Sequence, residues 1–279
     1  MLEINKPLAK LVFYATFGLL FAFTFFPIVW MVSTSFKPPA EIFRQFPSVL
    51  PEQPILANYT RAITEGGLAR YLLNSLITAG GSAVVTTLVA AYAAFSFAKY
   101  RYRGRLPIMY LIISARMFPL AVILISFFPL LNRWGLTDTH LGLAMAYIIF
   151  ALPAATYILY SYFMQLPTEL IEAARADGAS EFRIIHGIIF PLSLPSLITV
   201  GLYGFMWGWN DLLFSLTLIT TREMRTVGPG LLFTYLGEFR NDWGGAMAAS
   251  IIVSVPIVIA FMLLQRFFIK GLTAGAVKS

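Results

Sequence analysis

The chain has no cysteine, so no disulfide and no thiolate-held metal is available to it. It has two histidines among 279 residues, His140 and His186, far apart in the chain. Each reads as a polar residue at the end of a helix or loop rather than as a metal ligand. Charge is scarce: 12% of residues are Asp, Glu, Lys or Arg, about half the share of a soluble domain. G-x-x-x-x-G-K-[ST], H-E-x-x-H and G-x-S-x-G do not occur, so neither a phosphate cradle, a zinc-protease helix nor a nucleophile elbow of those types is present. The expectation is a non-catalytic chain that binds no cofactor or metal of its own.

What the chain has is apolar length. Residues of the apolar set make up 58% of it, against nearly half in a soluble domain. Six segments are predicted to span a membrane: about Leu11–Met31, Leu72–Ala98, Leu106–Leu131, Leu141–Phe163, Leu192–Ile219 and Ala246–Ile269. Each is long enough to cross roughly 30 Å of hydrocarbon at about 1.5 Å per residue. They are predicted to be helices, because lipid cannot satisfy free backbone groups. The fold class is therefore all-α, a polytopic membrane protein, with residues 1–279 forming a single transmembrane domain. The first span follows Lys6 and Lys10 as in a signal peptide. Its apolar core is too long, however, and no small-x-small cleavage site follows, so it is read as a retained helix.

Orientation follows from basic residues near the span ends. "KYRYRGR" puts Lys99, Arg101, Arg103 and Arg105 in one short loop, the signature of the cytoplasmic side. Six crossings then place both termini in the cytoplasm, where Lys6, Lys10, Arg266, Lys270 and Lys278 agree. The net charge of +7 is accounted for by this topology and calls for membrane lipid, not nucleic acid, as a partner. Two long loops, 33–70 and 220–245, fall outside. The first holds Pro38, Pro39, Pro47, Pro51 and Pro54 and is read as irregular and extended. It is either a tether or a landing surface for an external partner.

The loop 164–190 contrasts with its apolar flanks. In "LPTELIEAARADG", Thr168 is a candidate N-cap, Glu169 and Glu172 suit a first turn, and Ala173, Ala174 and Ala176 favour helix. Gly178 supplies a left-handed terminus, and Ser180 is placed to cap a second segment, "EFRIIHGIIF", which runs into Pro191. Leu170, Ile171 and Ala174 are expected on one side of the first helix, and Phe182, Ile185 and Ile189 on one side of the second. Four acids against two arginines give the loop a charge of −2. A helix lying on a membrane surface is more often basic. An acidic, partly apolar helix suits a protein-facing surface, with a solvated connector as the alternative.

These residues resemble the EAA loop of membrane subunits of bacterial ATP-binding-cassette importers. The pattern falls on Glu172, Ala173, Ala174, Gly178, Ile188 and Pro191, with Phe190 where the family usually has leucine. "YLLNSL" at 71–76, "ARMFP" at 115–119, "WNDLLFSLTLI" at 209–219 and "GLTAGAVKS" at 271–279 are similar to the maltose/trehalose-type carbohydrate permeases, in particular to the smaller, six-helix member of a permease pair. The resemblance implies the type I permease fold of such importers in a bacterial cytoplasmic (inner) membrane. It implies four partners: a second permease subunit, a dimeric cytoplasmic ATP-binding subunit, an extracytoplasmic sugar-binding protein, and a sugar substrate such as trehalose, maltose or an oligosaccharide. ATP and Mg would be used by the ATPase. The loop would be a coupling helix docked in a cleft of that ATPase, with Glu172 as the ionic contact, Gly178 as the elbow, and Ala173 and Ala174 allowing close approach.

Polar residues within the spans are candidates for the translocation pathway. Arg116 lies about ten residues into the third span, hence roughly 15 Å deep. There a lipid-facing arginine costs at least about 2.5–3.5 kcal/mol. It either lines a pathway or contacts helix-end carbonyls beside Pro119. Trp207, Asn210 and Asp211 lie toward the outer end of the fifth span. Trp207 and Trp209 are either interfacial anchors or flat faces for a sugar. Gly204 and Gly208 form a small-xxx-small pair whose packing partner is open. A secondary transporter and a non-transport scaffold remain the other readings. The first usually shows paired ionisable groups in the membrane, and here Arg116 alone is clearly deep.

Overall fold

The computed structural model describes residues 7–237 and 241–276, with side chains placed for 10–237 and 241–265. The expectations resting on Lys6, on the side chains of Arg266 and Lys270, and on 277–279 with Lys278, lie outside the described residues. Every regular element among those residues is helical. In order these are α1 Pro7–Ser35, α2 Pro39–Ile42, α3 Ala57–Thr64, α4 Leu68–Lys99, α5 Arg105–Ser114, α6 Leu120–Arg133, α7 His140–Phe163, α8 Glu169–Ala176, α9 Glu181–Ile184, α10 Phe190–Leu192, α11 Leu194–Trp209, α12 Leu213–Leu218, α13 Val227–Tyr235 and α14 Trp243–Ala276. A π turn, Ile185–Ile189, joins α9 to α10.

Four segments are long and apolar enough to cross a membrane unbroken: Lys10–Ser35, Leu68–Lys99, His140–Phe163 and Trp243–Gln265. Two bent helix pairs are long and apolar enough when taken together, Arg105–Met117 with Leu120–Arg133 at 101°, and Glu181–Leu192 with Leu194–Trp209 at 79°. The six expected spans are thus present if each pair counts as one, but the third and fifth are not straight. The physical cause in the third is Pro119. It donates no hydrogen bond and forces the preceding Phe118 out of helix, to φ −76°, ψ 137°. The fifth, expected to run to Ile219, stops at Trp209, and α12 begins a separate turn.

The chain divides into two compact units, Met1–Leu68 with Leu231–Val255, and Ala69–Gly230 with Pro256–Ser279. In the first, no residue in the apolar window of α1 is buried against the rest of the chain. The loop after it is irregular, as its prolines suggest, but it is folded back rather than extended, the Ile55 amide donating to the Phe36 carbonyl. Pro39 starts a helical turn, and buried polar side chains pin the segment. Asn58 Nδ2 donates to the Ser35 and Lys37 carbonyls at 2.9 and 3.0 Å. The Lys37 ammonium donates to the Ser48 carbonyl and sits 4.6 Å from the centroid of the Trp30 ring. The Glu41 carboxylate accepts from Ser48 Oγ at 2.7 Å and from the Glu52 amide at 3.0 Å.

The second unit is built on α4, α7 and α11. Small residues let them approach. A Cβ on Gly208 of α11 would lie 2.7 Å from Tyr147 Cδ2 of α7 and 3.1 Å from Ala79 Cβ of α4. A Cβ on Gly204 would lie 3.4 Å from Ala83 Cα. The small-xxx-small pair therefore packs within this chain. At one end of the unit, Ala90, Ala91, Ala94 and Phe95 of α4 meet Leu159 and Phe163 of α7, and this core extends into the loop that follows.

Candidate functional site

The turn at Gly178 is formed by local chemistry. Gly178 has φ +77°; its amide donates to the Arg175 carbonyl and the Ala179 amide to the Ala174 carbonyl, both at 3.0 Å. These two bonds close the end of α8 as a Schellman motif, which calls for a left-handed residue at that position. Two residues on, Ser180 is extended (φ −69°, ψ 156°) and its hydroxyl accepts from the Arg183 amide at 3.3 Å, capping α9. Thr168 does not cap α8. Its backbone is already helical (φ −72°, ψ −26°), and its carbonyl rather than its hydroxyl accepts from the Ile171 and Glu172 amides.

Nothing lies within 4 Å of a Cβ built on Gly178, so a substitution there meets backbone strain alone. Gly178→Val is expected to cost about 1–2 kcal/mol, with Gly178→Asn close to neutral. Amide exchange between 174 and 183 should rise in the valine variant and not in the asparagine one. Equal exchange in both would remove the elbow's conformational requirement.

A polar bridge fixes the angle across the elbow. Arg175 Nε lies 2.8 Å from Glu181 Oε1, and the Tyr100 hydroxyl donates to the other oxygen of Glu181. Burial, and then the bond to Glu181, push the Tyr100 phenol above its ordinary range, so it remains a donor at neutral pH. Both members of the ion pair are about half exposed (45% and 47%), which limits the pair to under about 1 kcal/mol. Its role is geometric: with Lys99 Nζ donating to the Leu166 carbonyl at 2.6 Å, it ties both arms of the loop to the end of α4.

The faces of the two arms differ in part from the sequence expectation. Ile171 and Ala174 of α8 are buried, as are Ile184 and Ile189. Ile188 packs partly against the same core, and Pro191 is exposed. Leu170, expected on one side with Ile171 and Ala174, and Phe182, expected on one side with Ile185 and Ile189, are exposed, Phe182 by 71%. The reason in the second arm is the π turn, which widens the helix so that residues five apart, Ile184 and Ile189, share the inward side. Phe182 instead stacks on His186 at 3.9 Å; the His186 ring is 2.7 Å from the Tyr92 hydroxyl. Close approach of another protein would therefore fall to exposed Ala173, not to Ala174. Glu172 is exposed and has no ion pair or side-chain hydrogen bond among the described residues.

The candidate pathway residues separate. Arg116 sits in a single 3-10 turn, Ala115–Met117, at the 101° bend of the third crossing. It is exposed and makes no hydrogen bond among the described residues, so the contact to helix-end carbonyls is not made there. Asp211 is fully engaged. Oδ2 accepts from Ser215 Oγ at 2.7 Å, the Ser215 amide at 2.9 Å and the Tyr147 hydroxyl at 3.0 Å, and Oδ1 accepts from the Phe214 amide at 3.2 Å. That caps the first turn of α12 and locks it to a buried tyrosine. Trp207 stacks on Phe150 at 5.8 Å and meets Tyr147 edge-on. Trp209 is buried, which overturns its reading as an interfacial anchor. Asn210 is exposed and donates to the Met206 carbonyl at 2.8 Å.

Tyr100, the Arg175–Glu181 bridge and Tyr147 were not singled out from the sequence. Opposite charges flanking Gly178 hinted at the bridge. No local signal marks Tyr147, whose partners are 64 and 68 residues away.

Residues 83–274 match the family described as binding-protein-dependent transport system inner membrane component. The trehalose/maltose transport system permease protein MalG of Thermococcus litoralis is 35% identical over 255 residues, covering 91% of each chain. The inner membrane ABC transporter permease protein YcjP of Escherichia coli is 33% identical over 278 residues, covering 98% of each. Among solved structures, a chain of a bacterial ABC transporter involved in the import of the acidic polysaccharide alginate superposes with a TM-score of 0.81 at 21% identity, over 96% of this chain and 99% of that one; this likeness is one of fold. On the family match, which takes in α7, the elbow and α11, the chain belongs to the inner membrane components of binding-protein-dependent transport systems.

Proposed function

We infer that the chain is the permease subunit of an ATP-driven importer of the ATP-binding-cassette class, and that its cargo is a sugar, a disaccharide such as trehalose or maltose or an oligosaccharide. Supporting the sugar are the trehalose/maltose, α-glucoside and trehalose permeases among its relatives. The observation that carries the coupling role is the elbow: a helix presenting an unpaired carboxylate, Glu172, beside exposed Ala173, on a loop anchored to α4 and α7. The partner proposed for that surface is a dimeric cytoplasmic ATPase, which would bind ATP and Mg; a second permease subunit and an extracytoplasmic sugar-binding protein complete the system. In this reading both termini and the elbow face the cytoplasm, as the basic loop 99–105 supports.

In this mechanism the elbow works as a lever. Closure of the ATPase on ATP displaces α8. Ile171 and Ala174 pass the displacement into the Phe95–Leu159–Phe163 core, and the helices of the second unit move between two discrete packings, giving alternating access. Arg116, at a broken apolar helix pair and without an ion pair or hydrogen bond among the described residues, is assigned to the water-filled pathway, because a cation within a membrane segment needs water or protein around it.

The test is to purify the chain with its associated proteins and reconstitute the assembly in liposomes. ATP-dependent uptake of trehalose or maltose is expected, with uptake lowered several-fold by Arg116→Ala and assembly unchanged. Uptake driven by an ion gradient without nucleotide would replace this reading with that of a secondary transporter.

A further inference from the structure

The loop between α4 and α5 has a second property besides its bias for one side of the membrane. Gly104, at φ +88°, turns the chain so that Arg101, Tyr102, Arg103 and Arg105 line one open hollow of about 430 Å³. Arg105 is held from behind, its Nη1 donating to the Tyr100 carbonyl at 2.9 Å. Arg101 and Arg103 are exposed and make no ion pair or hydrogen bond among the described residues. Residues 99–105 contain no acid. Three arginines thus line one hollow with no carboxylate from their own loop to balance them.

The surface beside the hollow is apolar. Leu106, Ile108, Tyr110 and Leu111 of α5 are exposed, Leu111 by 72%. A soluble anion would use the arginines and leave these exposed apolar side chains in water. A molecule with an anionic phosphate head and hydrocarbon tails matches both halves, the head on planar donors suited to phosphate and the tails along α5. Basic residues directly beside a membrane helix attract anionic lipid at about 1 kcal/mol each.

We propose that Arg101, Tyr102, Arg103 and Arg105 form a site for the phosphate headgroup of an anionic phospholipid whose acyl chains lie along α5. The proposal needs only that the chain is embedded in a membrane, so it stands or falls separately from the transported substrate and from the ATPase.

The experiment uses the full-length chain purified in a non-ionic detergent and radiolabelled phosphatidylglycerol or phosphatidylcholine in mixed micelles. Wild type is expected to retain phosphatidylglycerol over phosphatidylcholine. The double substitution Arg101→Gln with Arg103→Gln should weaken phosphatidylglycerol binding about 25-fold, at about fivefold per arginine, while Arg101→Lys with Arg103→Lys keeps most of it. Inorganic phosphate at the same concentration should displace none. Equal retention of the two lipids, or wild-type binding by the glutamine variant, overturns the proposal. So does displacement by inorganic phosphate, which would make the hollow a soluble-anion site. Should the glutamine variant not elute as a single species, the wild type still decides: its preference for phosphatidylglycerol must weaken as salt rises from about 50 to about 500 mM, and an unchanged preference overturns the site. Loss of uptake in the glutamine variant with lipid binding intact would assign the arginines to a protein partner, against the proposal.

Discussion

Glu172→Arg is expected to abolish coupled uptake while leaving the chain folded and inserted. Glu172 is exposed and has no ion pair or side-chain hydrogen bond among the described residues, so its replacement should change stability by no more than about 0.5 kcal/mol. If the carboxylate meets a basic residue of an ATPase cleft, reversal places two cations together in a water-excluded contact. Breaking a buried interfacial charge pair costs about 2–5 kcal/mol, which corresponds to at least about a 30-fold loss. Uptake in proteoliposomes should fall by that factor, with yield and helical content unchanged. Glu172→Gln, which removes attraction without adding repulsion, should fall between the two. Wild-type uptake by the arginine variant would end the assignment of Glu172 to the docking surface.

Gly208→Val is expected to have the largest effect on folding. Its Cβ would stand 2.7 Å from Tyr147 Cδ2 and 3.0 Å from Cε2. The ring has little freedom to yield: it is 1% exposed, and its hydroxyl is held by Asp211 and Ser215. Overpacking of this kind costs about 1–3 kcal/mol, and the upper end is expected, because a displaced Tyr147 also loses its bonds to the Asp211 cap. Gly204 is the control. There a Cβ makes an ordinary 3.4 Å contact, and alanine gains up to about 1 kcal/mol of helix propensity. Thermal unfolding in detergent should show Gly208→Val well below wild type and Gly204→Ala at or above it. Equal midpoints for all three would mean that α11 does not pack on α4 and α7 this closely.

What could be read in advance was whatever is encoded locally. The apolar segments were legible because their length is a property of contiguous residues, four of them being unbroken helices long enough to cross, and so was the turn at Gly178, where glycine and the Ser180 cap lie within three positions. Direction was not legible. "ARMFP" contains the proline that bends the third crossing, yet hydropathy is blind to a 101° change of course. Of the second arm's expected face, Ile185 and Ile189 do meet the core, but 3.6-residue periodicity cannot foresee a π turn, and Ile184 takes the inward place while Phe182 is exposed. Asp211 was read as a pathway residue because its partner Tyr147 comes from another crossing. Thr168 failed as a cap because helical backbone had already begun there. The family resemblance supplied Glu172 its role, and the geometry adds that Ala174, two positions on, faces the other way.

The segment 36–58, gathered on Asn58, Lys37 and Glu41, has a thermodynamic consequence for anything that lands on it. Chain that is ordered only on association gives up about 1–2 kcal/mol of backbone freedom per residue at that moment. Here the hydrogen bonds of the loop have already met that cost during folding. An incoming protein would encounter a stiff relief rather than a flexible strand, and its hold would depend on shape and charge match instead of on coaxing the loop into form.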